Sequence, residues 1–88
     1  SMKIKFNRLF HPAAFMQFES NEKAYFYLLA TLHEFRWHCI DTRGTTLILS
    51  DKNDFLRAFK LLGDNQEITI WECLSKADCI DKLINNEQ

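Results

Sequence analysis

Apolar and polar side chains alternate at the start of the chain. Ile4 and Phe6 interleave with Lys3 and Lys5, the two-residue period of a strand over residues 3–10. His11-Pro12 ends that run, because proline has no amide donor and restricts the residue before it. Residues 13–19, AAFMQFE, are apolar and aromatic enough for a second strand. The period then changes. Ser20 and Asn21 offer capping oxygens, and Tyr25, Leu28, Leu29, Leu32 and Phe35 form one stripe of a helix from Glu22 to about Arg36. Glu22 in its first turn and Arg36 in its last suit the helix dipole. Phe26 lies off the stripe and either stands exposed for binding or, the favoured reading, packs under the N-terminal strand.

Strand period returns on both sides of Thr42-Arg43-Gly44 and predicts a β-hairpin, Trp37 to Asp41 with Thr45 to Ser50. Asp51 or Asn53 then caps a second helix that turns Phe55, Leu56, Phe59 and Leu62 inward, with Gly63 as its C-cap. Glu67 to Leu74 alternates again as a strand. Ser75-Lys76-Ala77-Asp78 resembles a capping box and opens a short last helix in which Ala77, Ile80, Leu83 and Ile84 share a face. The order is therefore β-β-α-β-β-α-β-α. Residues 13–74 read β-α-β-β-α-β, which resembles the ferredoxin-like split βαβ superfold. The resemblance implies an α+β domain with an antiparallel sheet and two helices on one face. An extra N-terminal strand and a short C-terminal helix complete it. Many unrelated functions share that superfold, so an architecture is implied and no activity.

The 88 residues suffice for one domain, residues 2–88, with Ser1 ahead of Met2 reading as an expression scar. Hydrophobic residues at 47% argue against disorder, and no apolar run reaches the ~20 residues of a membrane helix. A net charge of −1 lacks the basic excess of a duplex-binding protein, so nucleic acid is not the expected partner. Lys3, Lys5 and Arg8 nevertheless stand without an acid in the first twelve residues. The ordinary reading is an edge strand whose solvated lysines discourage aggregation. Three cysteines, an odd number without a signal segment, point to reduced thiols and a cytoplasmic setting.

Strand parity divides the sheet into two faces. Met16, Phe18, Trp37, Cys39, Leu47, Leu49, Ile68 and Ile70 are assigned to the helix side. Phe15, Ile40, Ile48 and Trp71 then fall on the other, among polar neighbours that include Glu19 and His38. In a ferredoxin-like sheet the first and last strands of the unit adjoin, which sets Phe15 beside Trp71. Something must cover them: the C-terminal helix, a second copy across a two-fold axis, or a foreign protein or ligand. The expected contact residues are Phe15, Ile40, Ile48 and Trp71, with Glu19 and His38 as rim.

Candidate chemistry is sparse. His33, His38 and Cys39 are the densest set of metal-ligand types, but consecutive strand residues point to opposite faces and cannot converge on one ion. His38 with Cys73 is the conceivable nucleophile pair, and Asp51/Asp54 and Asp78/Asp81 sit where carboxylates cap helices. Gly44 and Gly63 are the only glycines, which leaves little material for a phosphate loop. No metal or cofactor is expected. The leading expectation is a small non-enzymatic regulatory or inhibitory protein that binds a protein partner. The alternative is a small enzyme or ligand-binding protein with a cleft over the sheet of a ferredoxin-like homodimer, His38 being its acid or base.

Overall fold

The computed structural model describes residues 1–31, 37–42, 46–50, 53–54, 57–58, 60 and 66–85. Five strands form one sheet: β1 (Met2–Asn7), β2 (Ala14–Phe18), β3 (Trp37–Thr42), β4 (Thr46–Leu49) and β5 (Glu67–Cys73). Helix α1 (Asn21–Thr31) follows β2, and helix α2 (Lys76–Asn85) follows β5. Between β4 and β5, Asn53, Asp54, Arg57, Ala58 and Lys60 are also helical. The α1 stripe extends from Tyr25 through Leu28 and Leu29 as expected, while Leu32, His33, Phe35 and Arg36 lie outside the described residues. So do Gly44, Asp51, Phe55, Leu56, Phe59, Leu62 and Gly63.

The caps follow from local chemistry. Lys23 donates its backbone N–H to Ser20 Oγ at 3.2 Å, which satisfies one of the orphan donors opening α1. Asp78 donates likewise to Ser75 Oγ at 3.1 Å, the first half of a capping box. The Asp78 carboxylate reaches back one residue further than that motif requires and accepts the Leu74 N–H at 2.8 Å. The same device recurs where Ser50 donates its N–H and its hydroxyl to the Asp54 carboxylate, at 3.3 and 3.1 Å.

Topology corrects the sequence reading. Strand order is β2-β1-β5-β3-β4, with β1 and β5 parallel and every other pair antiparallel, so the sheet is mixed. A ferredoxin-like unit would seat β5 beside β2; here β1 lies between them. The reason is that β1 is no edge strand. Met2, Ile4 and Phe6 all point into the core, and β1 bonds β2 on one side and β5 on the other. Its lysines line an interior strand on the opposite face.

Two cores result. The larger unites Met2, Ile4, Phe6, Ala24, Leu28, Ile40, Leu49, Ala58, Ile68 and Ile70, which places α1 and Ala58 on one side of the sheet. The register draws Ala14, Phe6, Ile70, Ile40 and Leu47 into one apolar row across all five strands. The smaller core, on the other side, holds Cys39, Cys73 and Cys79 with Trp37, Ile48, Trp71 and Leu83 packed around them. Facing was therefore assigned correctly in β2, β4 and β5 and inverted in β3. Ile40, fully buried, and His38 belong to the larger core, and Trp37 and Cys39 to the smaller one. Phe26 follows the less favoured of its two expected placements: 59% exposed, it meets the Tyr25 ring at 5.5 Å.

Candidate functional site

On the side of the sheet away from α1, the register fixes two adjacent rows. Asn7, Trp71, Cys39 and Ile48 form one; Phe15, Lys5, Thr69, Asp41 and Thr46 form the next. A third, partial row holds Gln17, Lys3 and Glu67. Helix α2 covers the first row. After β5 the chain reverses at Leu74-Ser75, and the Asp78 carboxylate that receives Leu74 N–H also accepts from Lys82 Nζ at 2.9 Å. These two partners, the backbone N–H first, hold the Asp78 carboxyl below its ordinary pKa. Cys79 and Leu83 then press onto Trp71, Cys39 and Ile48. Ten residues of helix reach about 15 Å, short of the ~19 Å that separates the outer strands of a five-stranded sheet. The contacts of α2 accordingly fall on β3, β4 and β5, and the β1–β2 side of this face is open.

The open part forms a hollow of about 580 Å³ lined by Lys3, Lys5, Phe15, Gln17, Asp41, Glu67 and Thr69. Phe15 is 76% exposed, and Lys5 Nζ lies 5.7 Å from its ring centroid, a cation–π distance. Thr46 Oγ1 donates to Asp41 Oδ1 at 3.4 Å at the far end of the row. Two lysines thus stand beside two carboxylates. The hollow is charge-balanced, rich in donors and acceptors, and carries one large aromatic group.

Six residues were expected to share a binding face, and the structure does not bring them together. Phe15 lines the hollow. Glu19 is exposed and accepts from Lys23 Nζ at 2.6 Å, one turn along α1. Ile48 and Trp71 are half-buried under α2, as one of the three expected covers would have them. Ile40 is fully buried in the larger core. His38, also buried, sits there with its ring edge-on to Phe6 at 6.2 Å and with Glu72 as its cross-strand neighbour. The Leu9 N–H donates to Glu72 at 3.0 Å. Lys3, Lys5, Gln17, Asp41, Glu67 and Thr69 were missed as a group. The Lys3/Ile4/Lys5/Phe6 alternation was a signal for two of them, but it was read as an edge.

The thiols occupy a different setting. Burial raises all three; Cys39, next to Cys73, is pushed up to about 12, and Cys73 is held high also by its hydrogen bond with Cys79. Cys73 Sγ donates to the Trp71 carbonyl at 3.5 Å. A second hollow of about 380 Å³, at the end of the sheet, is lined by Arg8, Phe10, His11, Trp37, Glu72, Cys73 and Leu74 among others. Phe10 is 91% exposed there with φ 61°, in the left-handed region that few aromatic residues enter. A thiol held protonated is a poor nucleophile, so this hollow lacks an activated sulfur. His38 with Cys73 is not a pair, since the two side chains point to opposite faces of the sheet. Among the described residues no three potential metal ligands group together, and no helix is long and apolar enough to cross a membrane.

Compared with known proteins, the chain matches no family model, no curated protein and no solved structure.

Proposed function

We propose that this protein is a small non-enzymatic binding module, regulatory or inhibitory in kind, whose partner is a protein segment seated in the hollow over β1, β2 and β5. The observation that carries this reading is Phe15, three-quarters exposed in the wall of a 580 Å³ hollow on the part of its face that α2 leaves open. An exposed aromatic ring ringed by polar groups is the ordinary composition of a contact hot spot and its rim. The mixed charges favour a polypeptide over a nucleic acid. Asp41 and Glu67 would face a phosphate backbone as unfavourably as Lys3 and Lys5 would attract it. A peptide presents both signs and can complement both. The imidazole and thiols singled out in the sequence lie elsewhere: His38 is buried on the larger-core side, and the three cysteines form the smaller core.

The test is selection of a displayed random-peptide library against the protein, followed by mapping of the selected peptide by amide chemical shifts. Perturbations centred on Lys5, Phe15 and Thr69, with at least tenfold weaker binding by Phe15→Ser, support the proposal. Selected peptides that map away from these residues, or RNA oligonucleotides that occupy them more tightly, overturn it.

A further inference from the structure

Lysines and carboxylates balance in number across the hollow over β1, β2 and β5, but they are not mixed. Counted inward from the outer strand, one row runs Phe15 on β2, Lys5 on β1, Thr69 on β5 and Asp41 on β3. The next row runs Gln17, Lys3 and Glu67 on β2, β1 and β5. Both rows pass from uncharged to cation to carboxylate in the same direction. In the first row the two charges also turn away from each other. Lys5 Nζ lies 5.7 Å from the Phe15 ring centroid, and Asp41 accepts from Thr46 on β4. The hollow therefore carries a dipole across the strands, with an aromatic ring at its positive end.

We propose that the hollow takes an extended polypeptide segment laid across the strands, bearing an apolar side chain, a carboxylate and a cation at alternate positions, in that order from Phe15. This rests on the hollow being a peptide site and adds which peptide it takes. A strand spacing of ~4.8 Å puts Phe15 about 14 Å from Asp41, three strands away. Residues i and i+4 of an extended chain are also about 14 Å apart and share a face. An apolar group over Phe15 thus sets the cation at Asp41, and residue i+2 on the same face carries the carboxylate to Lys5 and Lys3.

Spacing within the segment agrees with the charges below it. Its carboxylate and cation stand about 7 Å apart, between the ~4.8 Å that separates Lys3 from Glu67 and the ~9.6 Å that separates Lys5 from Asp41. The two rows are themselves about 7 Å apart along the strands, and a helix with its side chains, ~10 Å across, would overhang them. A segment with its two charges exchanged would set carboxylate on carboxylate and cation on cation. The dipole of the hollow is thus a means of selection among peptides of equal net charge.

The test compares two capped heptapeptides, titrated at low salt and followed by amide chemical shifts of the protein. Both carry phenylalanine at the second position and serine elsewhere; one has glutamate then lysine at the fourth and sixth positions, the other lysine then glutamate. Each is also made in reversed sequence, because the rows specify side-chain order and not chain direction. In one direction at least, the phenylalanine–glutamate–lysine order should bind at Lys5, Phe15 and Thr69 about fivefold more tightly than its exchanged counterpart. Lys5→Glu, at an exposed position and checked for folding by circular dichroism, should remove or reverse that preference. Equal binding of the two orders, or no binding of either, overturns the inference. Library-selected peptides that occupy the hollow without this charge order overturn it alone; selected peptides that map elsewhere overturn the peptide-site reading with it.

Discussion

Two neighbouring rows of one sheet face have opposite characters. The row Asn7, Trp71, Cys39 and Ile48 lies under α2 and is apolar wherever the helix reaches; two residues away along each strand, Phe15, Lys5, Thr69, Asp41 and Thr46 face water. Backbone geometry in the two is the same. What differs is whether a helix is there to repay the burial of hydrocarbon, and α2 packs on the first of them. Lysine, aspartate and threonines fill the row it does not reach, apart from Phe15. The exception stands out because its neighbours obey the rule for a solvated sheet face.

The largest expected contrast lies along a single strand. Trp71→Ala, beneath α2, should cost about 3 kcal/mol in chemical denaturation, whereas Thr69→Ala, on the same face two residues earlier, should cost less than about 1 kcal/mol. Equal losses at the two positions would mean that the open row is covered as well.

Next in size is the cysteine cluster. Cys79→Ser places a hydroxyl where the thiol is fully buried, and about 2 kcal/mol of destabilisation is expected if that hydroxyl lacks the bonding it has in water. With burial holding Cys39, Cys73 and Cys79 protonated, alkylation of the folded protein at neutral pH should proceed only as fast as the structure opens. Rapid labelling of any of the three in the native state would show that α2 does not seal this row.

The fastening of α2 has a pH signature. Asp78 is held below its ordinary pKa by the Leu74 N–H first and by Lys82 second, so the native state binds its proton less readily than the unfolded chain. Its contribution is complete above the unfolded-state value near 3.9 and is lost as pH falls through the lowered native value. Asp54 carries the same sign, through the Ser50 N–H and hydroxyl. Thermal melts between about pH 2 and pH 6 should therefore show a shallower acid limb for Asp78→Asn than for wild type. An unchanged limb would leave the Leu74–Asp78 contact without weight in fastening α2.

Local patterns were legible in the sequence where period and capping chemistry agree. The alternations of β1 and β5, the start of α1 at Ser20 and the S-x-x-D opening of α2 are all present. Pairing was not legible. Nothing in KIKFN distinguishes an edge strand with solvated lysines from an interior strand whose lysines face a half-open side, because both show the same two-residue alternation. The β3 error has a similar root. In WHCIDT, hydrocarbon, thiol and imidazole occupy both parities, and either face looked able to be the buried one; with helices on both sides, both faces are. Of the expected site, Phe15 alone remains at the hollow: His38 and Ile40 went with the inverted β3 parity, Ile48 and Trp71 lie on the expected face but under α2, and β1 separates Phe15 from Trp71.

The smallest expected effect sharpens the comparison most. Phe15→Ser removes a ring that touches little of its own chain beyond the Lys5 ammonium, an interaction of about 0.5 kcal/mol at an exposed site, so stability should stay within about 0.5 kcal/mol of wild type. Phe6, one strand over on the opposite face and 5% exposed, should by contrast lose several-fold more on truncation to Ala, about 3 kcal/mol or above. Should Phe15→Ser prove as costly as Phe6→Ala, the ring would have to be covered within the folded chain, and the exposed aromatic wall on which a docking role rests would not exist. A near-neutral result instead leaves a large aromatic group that folding does not require.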